Sequence, residues 1–131
     1  MNTYDAYMEK MEYNKELLRK WLKAGDDADR DAYVELTHPD HVVINALDPD
    51  MPSVVNYEEH WNYIVKMKGI YPDMEHKPLE IYAEDDHVII KGQVSGSNAN
   101  GKTVFAMAMF ASVKDGKVFE TCSIASMPSV K

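Results

Sequence analysis

Along residues 4–22, the apolar and aromatic side chains Tyr4, Tyr7, Met8, Met11, Leu17, Leu18, Trp21 and Leu22 recur at helical spacing. That is the pattern of a helix burying one face. Thr3 is placed to cap its start and Gly25 to stop it. Asp26 or Asp27 can cap a second, shorter helix, with Ala28, Ala32, Tyr33 and Leu36 on its buried side and Pro39 closing it. Residues 41–47 then read as a short first strand, and the Pro-rich stretch 48–53 as a loop. Asn56 and Glu59 have the spacing of a capping box, and Tyr57, Trp61, Ile64 and Val65 supply the stripe of a third helix ending at Gly69.

From Met74 onward the period shortens to that of strands, punctuated by turn signals at Glu84-Asp85-Asp86, Asn98-Ala99-Asn100-Gly101 and Lys114-Asp115-Gly116-Lys117. Four consecutive antiparallel strands satisfy this pattern. Strand 87–96 puts Val88, Ile90 and Val94 on one face and His87, Lys91, Gln93 and Ser95 on the other, so one face is wet. Strand 102–113 contains Val104-Phe105-Ala106-Met107-Ala108-Met109-Phe110-Ala111 and is apolar on both faces. Such a strand is expected to be covered twice, by helices on one side and by a second subunit on the other. Three helices, one short strand and a long meander define an α+β domain.

The chain has 131 residues, which fits one domain spanning 1–131 that buries roughly two thirds of the surface of its unfolded form. Its 14 basic and 22 acidic residues give a formal charge of −8 with no Lys/Arg cluster. Phosphate backbones and anionic membranes are poor partners for such a surface, so no nucleic acid and no membrane is expected to bind. The first twenty residues carry charges throughout and lack the apolar core of a signal peptide, and no long apolar run follows. Cys122 is the single cysteine, so no intrachain disulfide forms, and a cytoplasmic location is expected.

The order of these elements, with Leu22-Lys23-Ala24-Gly25-Asp26, Tyr71-Pro72-Asp73-Met74 and Lys114-Asp115-Gly116-Lys117-Val118, resembles the SnoaL-like branch of the nuclear-transport-factor-2-like superfamily over nearly the whole chain. The resemblance implies a cone-shaped, curved antiparallel sheet that encloses a pocket with three N-terminal helices, commonly in a homodimer packed through the convex side. The superfamily includes isomerases, cyclases, dehydratases, epoxide hydrolases and proteins without catalysis, so the fold alone leaves function open.

The family's catalytic positions can be carried over one at a time. A steroid-isomerase-like site needs carboxyl groups where this chain has Asn45 and Met109. A cyclase of the SnoaL type uses an aspartate on the last strand, where Ser123 stands, and an unassisted hydroxyl is a poor base. Related dehydratases pair a histidine after the third helix with an aspartate near the end of the first. His76 matches the histidine, and Lys23 falls at the partner position. The epoxide hydrolases need a strand arginine between carboxylates, whereas Arg19 and Arg30 lie in helices.

Imidazole titrates nearest neutrality among the side chains, which makes His76 the candidate acid or base. Asn45 can anchor a carbonyl as an amide donor or serve as a structural buried amide. Trp21, His60, Trp61, Tyr63, Met107, Met109 and Ser123 are candidates for the wall of an apolar pocket, where flexible thioethers suit an adaptable site, although ordinary core packing explains Met107 and Met109 equally well. His38 and His41 flank Asp40, but Pro39 breaks any shared helical face and no third ligand converges, so no metal or other cofactor is expected. The leading expectation is a binder of a small apolar organic molecule that performs proton-transfer chemistry of the isomerase, cyclase or dehydratase type. A non-catalytic ligand-binding or accessory domain and a purely structural dimerisation domain remain open.

Overall fold

Helix α1, Thr3–Asp26, starts where the Asn2 Oδ1 accepts the Asp5 backbone N–H at 2.7 Å, one residue before the expected cap. It runs through Gly25 to Asp26 instead of stopping at the glycine. The computed structural model describes residues 2–44 and 54–125. Met11, Leu17, Leu18, Trp21 and Leu22 form the buried face of α1, the stripe anticipated from periodicity.

Helix α2, Arg30–Leu36, is capped by Asp29, whose carboxylate accepts the Ala32 N–H at 3.2 Å. Neither Asp26 nor Asp27 therefore serves as its cap. Leu36 ends the helix ahead of Pro39. That proline lies inside β1, Thr37–Ile44, where the register with β6 shifts between Thr37 and Val42. A bulge tolerates a residue with no N–H to give. The strand thus begins earlier than the expected 41–47, and the loop expected at 48–53 lies outside the described residues. A short strand β2, Val54–Asn56, was not anticipated, because three residues carry no measurable alternation. The capping box of Asn56 and Glu59 opens α3, Tyr57–Ile70, as its spacing indicated.

The meander follows as β3 Glu75–Glu84, β4 His87–Asn98, β5 Gly101–Lys114 and β6 Lys117–Ala125. Asp115 and Gly116 both take positive φ, 55° and 73°, the two-residue turn that matches strand twist. Strand order is β2-β1-β6-β5-β4-β3. β1 pairs with β6 in parallel and every other pairing is antiparallel, so the curved, unclosed sheet is mixed, with one parallel ladder. The architecture is α+β, as the sequence indicated.

Register assigns the two faces. Ile90, Met109 and Ser123 stand opposite one another on the concave face, as do Val88, Ala111, Thr121, Val43 and Val55. Helix α1 covers this side, and its Leu18 and Trp21 join Val88, Ile90, Met107 and Met109 in one core. The convex face carries a row that crosses all six strands, Tyr82, Ile89, Phe110, Cys122, Ile44 and Val54. Phe110 is 47% exposed there. The doubly apolar strand is therefore covered by the core on one side and open on the other within one chain. Among the described residues, no helix is long and apolar enough to cross a membrane.

Candidate active site

The concave face and the helices leave a cavity of about 430 Å³. From the sheet, Val94, Phe105, Met107, Met109, Thr121 and Ser123 form its floor, and α1, α2 and α3 contribute Trp21, Asp26, Tyr33, His60, Tyr63 and Ile64. His76, near the start of β3, completes the wall. That volume falls in the usual range for small-molecule sites, and its lining is mostly apolar and aromatic.

His76 is held at two points by one carboxylate. Asp26 Oδ1 lies 2.6 Å from His76 Nδ1, and Asp26 Oδ2 accepts the His76 backbone N–H at 2.7 Å. A carboxylate only accepts, so Nδ1 carries the proton of this contact, and the tautomer it selects has its lone pair on Nε2. The Asp26 side chain is 11% exposed and that of His76 23%. Both residues also border a smaller polar groove with Arg19, Lys23, Lys68, Asp73 and Glu75. The dyad thus forms the partition between an apolar chamber and a polar groove.

This arrangement corrects the placement of Lys23 at the position of the family's aspartate, which left His76 without an orienting carboxylate. The Lys23 side chain is 76% exposed and pairs with Asp27 at 3.0 Å. The carboxylate comes from one helical turn further on, because α1 continues past Gly25 and brings Asp26 inward. Asp26 is hidden in the sequence because both Gly25 and the neighbouring aspartates look like stop and cap signals. The resemblance did place an aspartate near the end of the first helix, and Asp26 stands three residues from the position chosen.

A second polar cluster lies beneath α3. The Tyr33 hydroxyl is 2.8 Å from His60 Nδ1, and the His60 ring stacks on Trp21 with centroids 5.5 Å apart and planes 10° apart. The Trp21 indole N–H donates to Thr37 Oγ1 at 2.9 Å, and the Thr37 hydroxyl donates to the Tyr33 carbonyl at 2.5 Å. His41 Nε2 lies 3.2 Å from Thr121 Oγ1, and the His41 and His60 rings are 5.8 Å apart. Burial is the main cause that pushes His60 down to about 3, helped by His41 and His76. Burial likewise pushes His41 down to about 4, with His38 adding to it. Burial raises Tyr33, so its phenol keeps its proton. Both histidines are neutral at pH 7.

Of the residues singled out from sequence, His76, Trp21, His60, Tyr63, Met107, Met109 and Ser123 border the cavity. Trp61 does not: it packs on Tyr33 at 4.9 Å, with the Arg30 guanidinium 5.3 Å from its ring. Asn45 lies outside the described residues. Tyr33 and Thr121 were missed as wall residues, since a tyrosine on a helical stripe and a threonine in a strand look like ordinary packing. His38 and His41 part company, His38 pairing with Asp115 at 3.3 Å while His41 turns to Thr121. Among the described residues, no group of three or more metal-ligating side chains converges.

A curved, open sheet whose concave face and helices enclose a small-molecule-sized chamber defines a nuclear-transport-factor-2-like protein. The chain belongs to the SnoaL-like domain family, which matches residues 18–121. No curated protein matches it in sequence. Among solved structures, IdmH from Streptomyces antibioticus, a proposed polyketide cyclase, is 20% identical with a TM-score of 0.77, covering 86% of this chain and 91% of its own. An epoxide hydrolase from M. tuberculosis, described as LEH-like, is 16% identical with a TM-score of 0.75, covering 89% and 85%. A protein from Catenulispora acidiphila with a ketosteroid-isomerase-like fold, solved in complex with trimethylamine, is 13% identical with a TM-score of 0.71, covering 83% and 84%. At these identities the likeness establishes the fold.

Proposed function

We propose that this chain is a cofactor-independent proton-transfer enzyme, of the isomerase, cyclase or dehydratase type, acting on a small and largely apolar organic molecule. One observation carries the reading: the Asp26 carboxylate fixes His76 Nδ1–H, leaving the Nε2 lone pair as a base at the wall of an apolar cavity. The base takes a proton from a C–H bond of the bound molecule. The resulting imidazolium, stabilised by the carboxylate, returns the proton to another atom of the same molecule. The polar groove behind the dyad offers water a route to the ring, so the proton can also exchange with solvent. Asn45, two residues after the cavity-lining Val43, is retained as a polar anchor.

A ketone with exchangeable α-hydrogens, 2-tetralone, tests the reading in D₂O by following loss of the α-proton signal. The protein should accelerate exchange, and His76→Ala should remove about 10²- to 10⁴-fold of that acceleration while the fold persists. Equal acceleration by the variant would take His76 out of the mechanism.

A non-catalytic ligand-binding role is the second reading, supported by the wall of Phe105, Met107 and Met109, which suits binding without chemistry. In either case the convex apolar row supports a homodimer, since it would otherwise leave six strands with a hydrophobic stripe in water. The lone Cys122 fits a reducing compartment such as the cytoplasm.

A further inference from the structure

Abstraction of a proton from carbon leaves an electron pair that must settle on an electronegative atom, and enzymes of this kind place hydrogen-bond donors where that charge arrives. The dyad supplies the base alone. The cluster beneath α3 supplies two further polar atoms whose hydrogen-bonding directions can be assigned.

Tyr33 is fully buried, and the partner of its hydroxyl is His60 Nδ1. A hydroxyl cut off from water must put its proton on an acceptor, so Tyr33 donates and Nδ1 accepts. A neutral His60 then carries its own proton on Nε2, the one polar atom of the ring left for a ligand in the cavity it lines. Among the described residues, His41 Nδ1 is buried with no hydrogen-bond partner. Orphaned N–H groups are rare in protein interiors, so the His41 proton belongs on Nε2, where it is donated to Thr121 Oγ1. Thr121 accepts that bond and lines the cavity, so its own hydroxyl proton can be given to a ligand there.

His60 and Thr121 line the same cavity, and each meets the His41 ring, His60 with centroids 5.8 Å apart and Thr121 through Oγ1 at 3.2 Å. From this juxtaposition we infer that His60 Nε2–H and Thr121 Oγ–H form a neutral donor pair for a carbonyl oxygen of the bound molecule. The inference rests on the proton-transfer reading and adds to it the two residues that receive the developing charge. His76 Nε2 takes the α-proton, the C–H electron pair becomes the enolate C=C, and the carbonyl π pair moves onto oxygen. That oxygen accepts both hydrogen bonds. Return of the proton from His76 to carbon or oxygen restores the neutral ring, with no oxidant or reductant involved.

The test compares affinities of 2-tetralone and its oxygen-free counterpart tetralin, by calorimetry, for the wild type, His60→Phe, Thr121→Val and His76→Ala. The ratio of ketone to hydrocarbon affinity should fall about tenfold in each donor variant. It should stay within twofold of wild type in His76→Ala. Nitrogen-15 NMR of the unmodified protein gives a readout independent of mutant folding: His60 should be a neutral Nε2–H tautomer from pH 5 to 8. Unchanged ratios in both donor variants, a wild type that binds neither probe, or an Nδ1–H tautomer at His60 would each overturn the donor pair. Exchange of the α-hydrogens separates this from the broader reading. Ratios that fall as expected without any exchange leave the donor pair standing and remove the proton-transfer reading; exchange with unchanged ratios does the reverse.

Discussion

Asp26 grips His76 twice, through Nδ1 at 2.6 Å and through the backbone N–H at 2.7 Å. The carboxylate closes the last turn of α1, where the helix dipole disfavours negative charge. The two charge-assisted hydrogen bonds offset that cost. A residue that breaks a local rule while satisfying a distant partner is a mark of a functional position. The double grip also ties the end of α1 to the first residues of β3, so the imidazole has little freedom to turn away from the cavity.

Asp26→Asn keeps the size of the side chain but removes the charge that selects the Nδ1–H tautomer. Exchange of 2-tetralone hydrogens should slow by about 10²- to 10⁴-fold, with ligand affinity changed little. Loss of one charge-assisted hydrogen bond should lower stability by about 1–3 kcal/mol in urea unfolding. Lys23→Ala, at the exposed position one turn earlier, should leave exchange unchanged. If Lys23→Ala slowed exchange and Asp26→Asn did not, the dyad would not be the base.

Much of the fold was legible because it rests on period. The α1 stripe, the capping box of Asn56 and Glu59, and the meander with its Asp115-Gly116 turn each have a local physical cause visible in the chain. Parity was not legible, because strand 102–113 is apolar on both faces and alternation cannot choose between them: the register puts Met109 and Ser123 on the cavity side and Phe110 and Cys122 on the other. The parallel pairing of β1 with β6 was not legible either, since no local signal sets which distant strand closes a sheet. The site was half legible. His76 stood out by its chemistry, but Asp26 was hidden in a run of turn-like residues. The tautomers of His60 and His41 depend on contacts 27 and 80 residues away. Trp61 looked like a pocket aromatic because its helix borders the cavity, yet helical rotation turns it toward Tyr33 and Arg30.

The convex row should be the seam of a homodimer. Ile89, Phe110 and Cys122 stand side by side at its centre, flanked by Tyr82 and by Ile44 and Val54. Phe110→Glu would put two like charges into a self-complementary interface, which strongly disfavours association. Light scattering should report a dimer for the wild type and a monomer for the variant, with circular dichroism unchanged. A wild-type monomer at micromolar concentration would remove this seam and leave the row without a partner.

Met109 lies on the cavity floor between Ile90 and Ser123. Met109→Trp adds an indole to that floor and should raise the dissociation constant for 2-tetralone at least tenfold. The cost of overpacking is about 1–3 kcal/mol, which a folded domain can absorb. Retained affinity in a variant that still folds would place the ligand somewhere other than this chamber.

The buried histidines also write themselves into the acid stability of the protein. In the unfolded chain an imidazole titrates near 6.5, while the folded protein holds His41 down to about 4 and His60 to about 3. Below pH 6.5 the unfolded state therefore binds protons that the folded state refuses, so stability rises with pH through this window. The contribution is complete above about pH 6.5 and is lost as the pH falls toward the folded values. Between pH 7.5 and 5 each histidine should cost about 2 kcal/mol, before most carboxylates begin to protonate. Urea midpoints measured across that range should drop steadily. His60→Phe, which keeps the stack on Trp21 but cannot ionise, should show about half the pH dependence of the wild type. Equal slopes for the two proteins would mean that His60 is not held neutral, and the Nε2–H donor assigned to it would then fail as well.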